Sequence, residues 1–177
     1  MPFYNIMPIQ KATMADVAEL TVLINSAYRG ESSKKGWTTE AHLLGGIRID
    51  EPTMAIYLQS DDTTILKYIN EDGKIIACVY LQVRAGDRLY LGMLTVSPLL
   101  QAGGIGRQLL QEAEVWAKKL SCTVIFMTVI TTRLELIAWY ERRGFKPTGK
   151  LIPFPKDTGF GEPKEEIELA IFEKAVE

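Results

Sequence analysis

Three glycines, Gly103, Gly104 and Gly106, fall within four residues of "SPLLQAGGIGRQLLQEAE" (Ser97–Glu114), directly before a run of helical periodicity. Glycines that open a helix present several backbone N–H groups where the aligned peptide dipoles concentrate positive potential. The chemistry this invites is the holding of a phosphate, because a backbone without Cβ atoms lets an anion approach closely. Arg107 adds a cation at the same end. The same residues also make an ordinary tight turn, so the loop alone leaves both readings open.

Two nucleotide patterns fit poorly. The triphosphate loop needs Lys followed by Ser or Thr after its last glycine, and neither follows Gly106. The dinucleotide fingerprint needs a third small residue where this chain has Leu109, and it opens a first strand–helix–strand unit rather than following a meander. A third pattern, Q-x-x-G-x-G, is met by Gln101, Gly104 and Gly106.

That third pattern resembles the phosphate-gripping signature of the GNAT superfamily of N-acetyltransferases. A second segment, "LIAWYERRGF" (Leu136–Phe145), is similar to the family's helix-to-strand stretch, with Tyr140, Glu141, Arg143, Gly144 and Phe145 matching. One position departs: where many members have Asn seven residues before this Tyr, to contact the cofactor, the chain has Arg133. "NSAYRGESSKKGWTTEAHLL" further resembles a microbial subgroup with an AYRG…GWTTE segment.

The resemblance covers nearly the whole chain and implies one domain over residues 1–177. It implies an α/β fold: a mixed, largely antiparallel sheet splayed between its fourth strand (Leu91–Val96) and fifth (Thr123–Ile130), with helices on both faces. It also implies acetyl-CoA as co-substrate. Gln101, Gly103, Gly104, Ile105, Gly106 and Arg107 would surround its pyrophosphate, Arg133 another anionic group, and the Leu94 and Val96 backbones its pantetheine arm. The Val96 N–H would face the developing oxyanion, and Tyr140 would be the general acid.

Acetyl transfer to an amine also requires the amine to lose a proton. Glu40, in "GWTTEA", is the sharpest candidate base, with Tyr28 and Trp37 near it in sequence to wall an amine pocket. Trp37 would suit a cationic amine through its ring face. Glu40 also stands where a capping glutamate follows a Thr38 cap. Asp157 and Glu162 are weaker rim candidates. Arg29, Glu31 and the "SSKK" run read as solvated loop charges, "ERR" (Glu141–Arg143) as a solvated helix face, and Met54, Met93 and Met127 as core.

The elements that must position these residues follow from periodicity and turn signals. Asn5–Ala12 reads as a strand, followed by a Thr13/Asp16 helix start and a helix ended by Gly30. "TTEAHLLGGIRI" reads as a second helix and "EPTMAIYLQSDD" as a short helix or loop. "TTILKYIN", "IIACVYLQVR" and "LYLGMLTVS" form a meander. A helix to Leu120 follows, presenting Leu109, Ala113, Trp116 and Leu120 on one face. "TVIFMTVI" is a buried strand and "RLELIAWYERRG" a helix stopped by Gly144. "LIPFPKDTGFGEPKEE" reads as a loop over the acceptor site, before a final strand.

Bulk composition fits one packed domain, with 47% hydrophobic and 24% charged residues. A net charge of −2 argues against nucleic acid as partner. His42 is the only histidine, which excludes a metal site built on several. Two cysteines, Cys78 and Cys122, sit in apolar runs and read as buried thiols. No signal peptide is seen and no apolar run approaches ~18 residues, so a cytoplasmic protein with no membrane partner is expected. The oligomeric state is left open by the sequence, a homodimer being a common assembly among soluble proteins. The expected function is acetyl-CoA-dependent acetylation of a primary amine by direct attack in a ternary complex. Two rivals are a catalytically silent acyl-CoA-binding sensor or scaffold and a nucleotide-binding enzyme.

Overall fold

In the computed structural model, which describes residues 8–155 and 159–177, the chain alternates short strands and helices. It opens with β1 (Ile9–Lys11) and a single helical turn, then α1 (Val17–Tyr28) and α2 (Gly30–Ser33). Next come β2 (Leu44–Gly45), α3 (Glu51–Gln59), and the meander β3 (Thr63–Ile69), β4 (Ile75–Arg84) and β5 (Arg88–Val96). The second half runs α4 (Ile105–Lys119), β6 (Val124–Ile130), α5 (Leu134–Glu141), β7 (Lys146–Pro153), β8 (Glu162–Pro163) and β9 (Glu168–Ala175). Residues 5–7 of the expected first strand lie outside the described residues.

Among the described residues seven strands form one sheet in the order β1-β3-β4-β5-β6-β9-β7, antiparallel except where β5 meets β6. Side chains of β4 alternate between two cores, as a pleated strand buried on both faces requires. Ala77, Val79 and Leu81 pack with Leu109 and Ala113 of α4, whereas Cys78 and Tyr80 pack with Leu20, Ile24 and Met54 of α1 and α3. The helices therefore cover both faces, and the mixed, largely antiparallel sheet is as expected.

The parallel pair is incomplete. β5 and β6 are paired only at Arg88/Val124, Leu89/Ile125 and Tyr90/Phe126. Arg88 lies over the Phe126 ring (4.6 Å) and Tyr90 meets it at 5.4 Å, so the join ends in a packed cluster. Beyond it the two strands separate. β5 also carries one extra residue against β4, since the register shifts between Ala77/Val96 and Tyr80/Gly92, and Met93 takes a left-handed φ of +46° there.

Two sequence expectations fail locally. "TTEAHLLGGIRI" forms turns and the short β2, paired with β8, instead of a helix. Gly45 and Gly46 weaken helical propensity. The Asn25 side chain fixes the following chain from outside: it accepts the Arg48 N–H (2.7 Å) and donates to the Ile49 carbonyl (2.9 Å). The proline-glycine stretch is not all loop, because Leu151–Pro153 extend β7 and Glu162–Pro163 form β8. "EPTMAIYLQ" resolves as a helix because the Asp50 carboxylate accepts the Thr53 N–H (2.8 Å) at its start. On α4 the apolar face is Leu109, Leu110, Ala113 and Ala117, while Leu120 is exposed at the cap. Among the described residues no helix is long and apolar enough to cross a membrane.

Leu109 is fully buried between α4 and β4. Leu109→Ala is expected to lower unfolding stability in urea by about 2–5 kcal/mol, through lost transfer energy and a residual cavity.

Candidate active site at the strand gap

The separation of β5 from β6 opens two clefts that meet. The first, of about 550 Å³, is lined by the glycine turn and α4 start, by Val96, and by Leu136, Trp139, Arg142 and Arg143 of the α5 region. The second, of about 300 Å³, lies between β5, β6 and the loops after α1 and β7. Tyr28, Leu94, Leu136 and Tyr140 line both.

The glycine turn opens α4. Gly104, at φ +82°, caps α4, and a Cβ on Gly106 would lie 3.4 Å from the Trp139 ring and 3.7 Å from Val96. Gly104, Ile105, Gly106 and Arg107 line the first cleft; Gly103 does not. Gln101 turns inward. Its Oε1 accepts the Trp37 N–H (2.8 Å), and its Nε2 donates to Thr38 Oγ1 (2.7 Å) and the Val96 carbonyl (3.0 Å). Gly36 leaves room for it, since a Cβ there would lie 2.4 Å from Oε1. Gln101 thus braces the turn against the chain end of β5.

The exposed edge of β5 is defined by its register. The Ser97 N–H donates to the Ile76 carbonyl (2.8 Å), making Ile76/Ser97 a hydrogen-bonded pair. Ala77/Val96 is then a non-hydrogen-bonded pair, and the Val96 backbone groups face the gap. Its carbonyl is taken by Gln101, and the Leu94 carbonyl accepts the Tyr28 hydroxyl. The Val96 N–H faces the gap beside them.

Tyr140 stands at the junction of the clefts, stacked edge-on against Trp139 (5.1 Å) and Phe145 (5.7 Å). Gly144, at φ +93°, turns the chain after α5, and the Phe145 N–H returns to the Tyr140 carbonyl (3.2 Å). Burial raises the Tyr140 hydroxyl above the usual tyrosine range, with nearby Tyr28 adding, while Arg133 and Arg143 oppose. Burial raises Tyr28 in the same direction, with the Glu40 charge second. The buried Cys78 thiol is pushed up to about 12 by desolvation, so it is not an available nucleophile. His42 is exposed and lines neither cleft.

Several sequence-expected residues stand elsewhere. Trp37, expected beside the amine, lines the first cleft 6.4 Å from Trp139. Arg133, expected on the cofactor, lines the second cleft, drawn there by Glu40 (3.8 Å). Glu40 does not cap a helix: its Oε2 accepts from Arg29 Nη2 (3.2 Å) and its Oε1 faces Arg133. Arg29, expected in solvent, is only 5% exposed. The loop crosses it at Gly161, where a Cβ would lie 2.7 Å from Arg29 Nη1. Met93 lines the second cleft, and Glu162 lines neither. Asp157 lies outside the described residues.

Sequence reading missed Trp139, Arg142 and Arg143. The last two belong to the supposedly solvated "ERR", yet Arg143 lies over the Trp139 ring (3.8 Å) and donates to its carbonyl (2.9 Å). The i, i+4 spacing of Trp139 and Arg143 was the available signal.

Two measurements check these assignments. Glu40→Gln removes the one carboxylate between two buried guanidiniums, and is expected to cost about 3–5 kcal/mol in urea unfolding. Both tyrosines hold their protons longer folded than unfolded, where release occurs near pH ~10. Above that pH the unfolded chain binds fewer protons, so stability is level below it and falls as pH rises beyond it. Tyr28→Phe is expected to make that alkaline fall shallower in unfolding titrations.

Residues 17–145 match the Acetyltransferase (GNAT) family. A stretch of 82 residues is 38% identical to an amino-acid acetyltransferase of Azotobacter vinelandii, covering 46% of this chain and 18% of the relative. Another of 98 residues is 29% identical to the Bacillus subtilis protein YdhI, covering 54% and 59%. The matches thus span less than two thirds of either relative. Among solved structures, the fold is similar to ribosomal-protein-S18-alanine N-acetyltransferase from Escherichia coli (TM-score 0.69, 19% identity, 95% of this chain and 92% of that one). It is similar also to ribosomal-protein-alanine N-acetyltransferase from Brucella melitensis (TM-score 0.71, 20% identity, 94% and 98%). At those identities the likeness is one of fold. With a sheet parted after three residue pairs, a glycine turn at the parting and the family's sequence pattern across most of its length, this chain belongs to the acetyltransferase (GNAT) family.

Proposed function

We propose that the chain transfers an acetyl group from acetyl-CoA to a primary amine by direct attack, with both substrates bound at once. The observation that carries this reading is the meeting of two clefts at Tyr28, Leu94, Leu136 and Tyr140. Two substrates entering from opposite mouths would have their reactive ends at those four residues. Curated relatives named for amino-acid acetylation support the same reaction class.

The first cleft fits coenzyme A. Its glycine turn offers helix N-terminal N–H groups to a pyrophosphate, and Arg107, Arg142 and Arg143 line the same mouth. The buried Arg143 Nε lacks an acceptor among the described residues, a group suited to an anion. Acetyl-CoA supplies the activated thioester. The Val96 N–H faces the gap, where it can stabilise charge growing on the carbonyl oxygen.

A neutral amine attacking from the second cleft forms the C–N bond as the C–S bond breaks. Tyr140 gives its proton to the departing sulfur, and the proton shed by nitrogen restores it through water. Its raised pKa makes it a weaker acid but keeps it protonated throughout the physiological range. Arg133 and Arg143 offset part of that rise. We assign Glu40 to holding Arg29 and Arg133, both of which engage its oxygens, rather than to taking the amine proton.

CoA release from acetyl-CoA with an amine panel tests the reading. Thermal stabilisation by acetyl-CoA with no release from any amine would favour a silent binding module, and greater stabilisation by ATP or NAD would overturn both. Tyr140→Phe is expected to lower kcat about 100-fold, with KM for acetyl-CoA within about threefold. An unchanged kcat would remove Tyr140 as the acid.

A further inference from the structure

The second cleft has a charge balance opposite to that of the whole chain. Among its described lining residues are three guanidiniums, Arg29, Arg48 and Arg133, and one carboxylate, Glu40. An amine pocket built to attract a bare cation would show the reverse, so the excess positive charge calls for a counter-ion.

The hydrogen bonding of the arginines points the same way. Arg29 uses Nη1 on the Ile47 carbonyl (3.1 Å) and Nη2 on Glu40 (3.2 Å), and its buried Nε has no acceptor among the described residues. Arg133 places Nη2 near the Trp37 carbonyl (3.5 Å). Its Nη1 is buried without a hydrogen bond among the described residues, 3.8 Å from Glu40 Oε1, and its side chain is only 9% exposed. Arg48 is half-buried, and its guanidinium makes no hydrogen bond or ion pair among the described residues. Native interiors pair nearly all buried donors of the kind that Arg29 Nε and Arg133 Nη1 present, and planar guanidinium donors match oxyanions in particular.

We propose that the second cleft selects amines carrying an anionic oxygen group, received by Arg48, Arg133 and Arg29 while the amine points to Tyr140. The proposal rests on the transferase reading and names its acceptor class: small amino carboxylates, or amino phosphonates that share their charge. At about 300 Å³ the cleft holds one small molecule, and Tyr57, Tyr90, Phe154 and Phe160 give it aromatic walls for the remainder of that molecule. Glu40 then serves as a positioning residue, spacing two guanidiniums that would otherwise repel.

The test compares matched acceptors in the CoA-release assay: L-amino acids, their amides, their decarboxylated amines, and aminoalkylphosphonates. At least a tenfold higher kcat/KM for an anionic acceptor than for its amide and its decarboxylated amine is expected, and the better of the two anionic sets identifies the group. Equal use of acid and amide, or preference for the decarboxylated amine, overturns the proposal while leaving the transferase reading intact. No release from any amine overturns both. Arg48→Gln is expected to raise KM for the anionic acceptor at least tenfold, with KM for acetyl-CoA within twofold; an unchanged acceptor KM counts against the assignment. Calorimetric binding of N-acetyl-L-phenylalanine and its amide to the unsubstituted protein reads the same preference without turnover. Tighter binding of the acid is expected, and equal binding overturns the proposal.

Discussion

The break in pairing between β5 and β6 governs everything else in this molecule. Two parallel strands begin as neighbours, held by Arg88 and Tyr90 against Phe126, and then part. A sheet that stayed paired would bury the Val96 backbone in a ladder and close both clefts. Once it parts, the strands have polar groups facing a gap, and buried polar groups need partners. Tyr28 and Gln101 supply partners for two carbonyls, and the Val96 N–H faces the gap. The geometry suited to acyl transfer is what remains after the protein has satisfied its own backbone.

Electrostatics divides the gap in a way that net charge hides. The chain is mildly acidic at −2, yet each mouth of the gap is cationic. Arg107, Arg142 and Arg143 line one side, and Arg29, Arg48 and Arg133 the other. Whole-chain charge spoke against bulk attraction of polyanions and said nothing of these clusters. Local fields in a low-dielectric cleft are set by the few groups that line it.

Most of the sheet and the helices α1, α4 and α5 were legible from sequence because each carries a strong local signal. The β4 run is apolar on both faces, the Asp-Gly turn marks its start, and α4 follows three glycines. The segment after Trp37 was not legible, since its shape comes from Asn25 and from pairing with Glu162–Pro163, partners distant in the chain. The same limit explains Trp37 and Arg133. Sequence proximity placed Trp37 with Glu40, and a family position placed Arg133 with the coenzyme. Gln101 holds Trp37 on one side of the gap, and Glu40 holds Arg133 on the other. Glycine spacing marked the turn before α4 because a backbone requirement is local. Side-chain ion pairs are not, so the arginine-lined second cleft emerged only in three dimensions.

The extra residue at Met93 has a bearing on how the protein behaves in a crowded solution. A parted sheet contains an edge strand within itself, and unpaired edges are templates on which other chains can stack. Here the left-handed Met93 interrupts the flat run of β5, and the Tyr28 and Gln101 side chains occupy alternate carbonyls along it. A long foreign strand therefore finds no continuous ladder to extend, while a slender flexible chain needing only a single N–H can still enter. The bulge and the two side chains together give this inner edge the same protection that bulges and blocked backbone groups give an outer one.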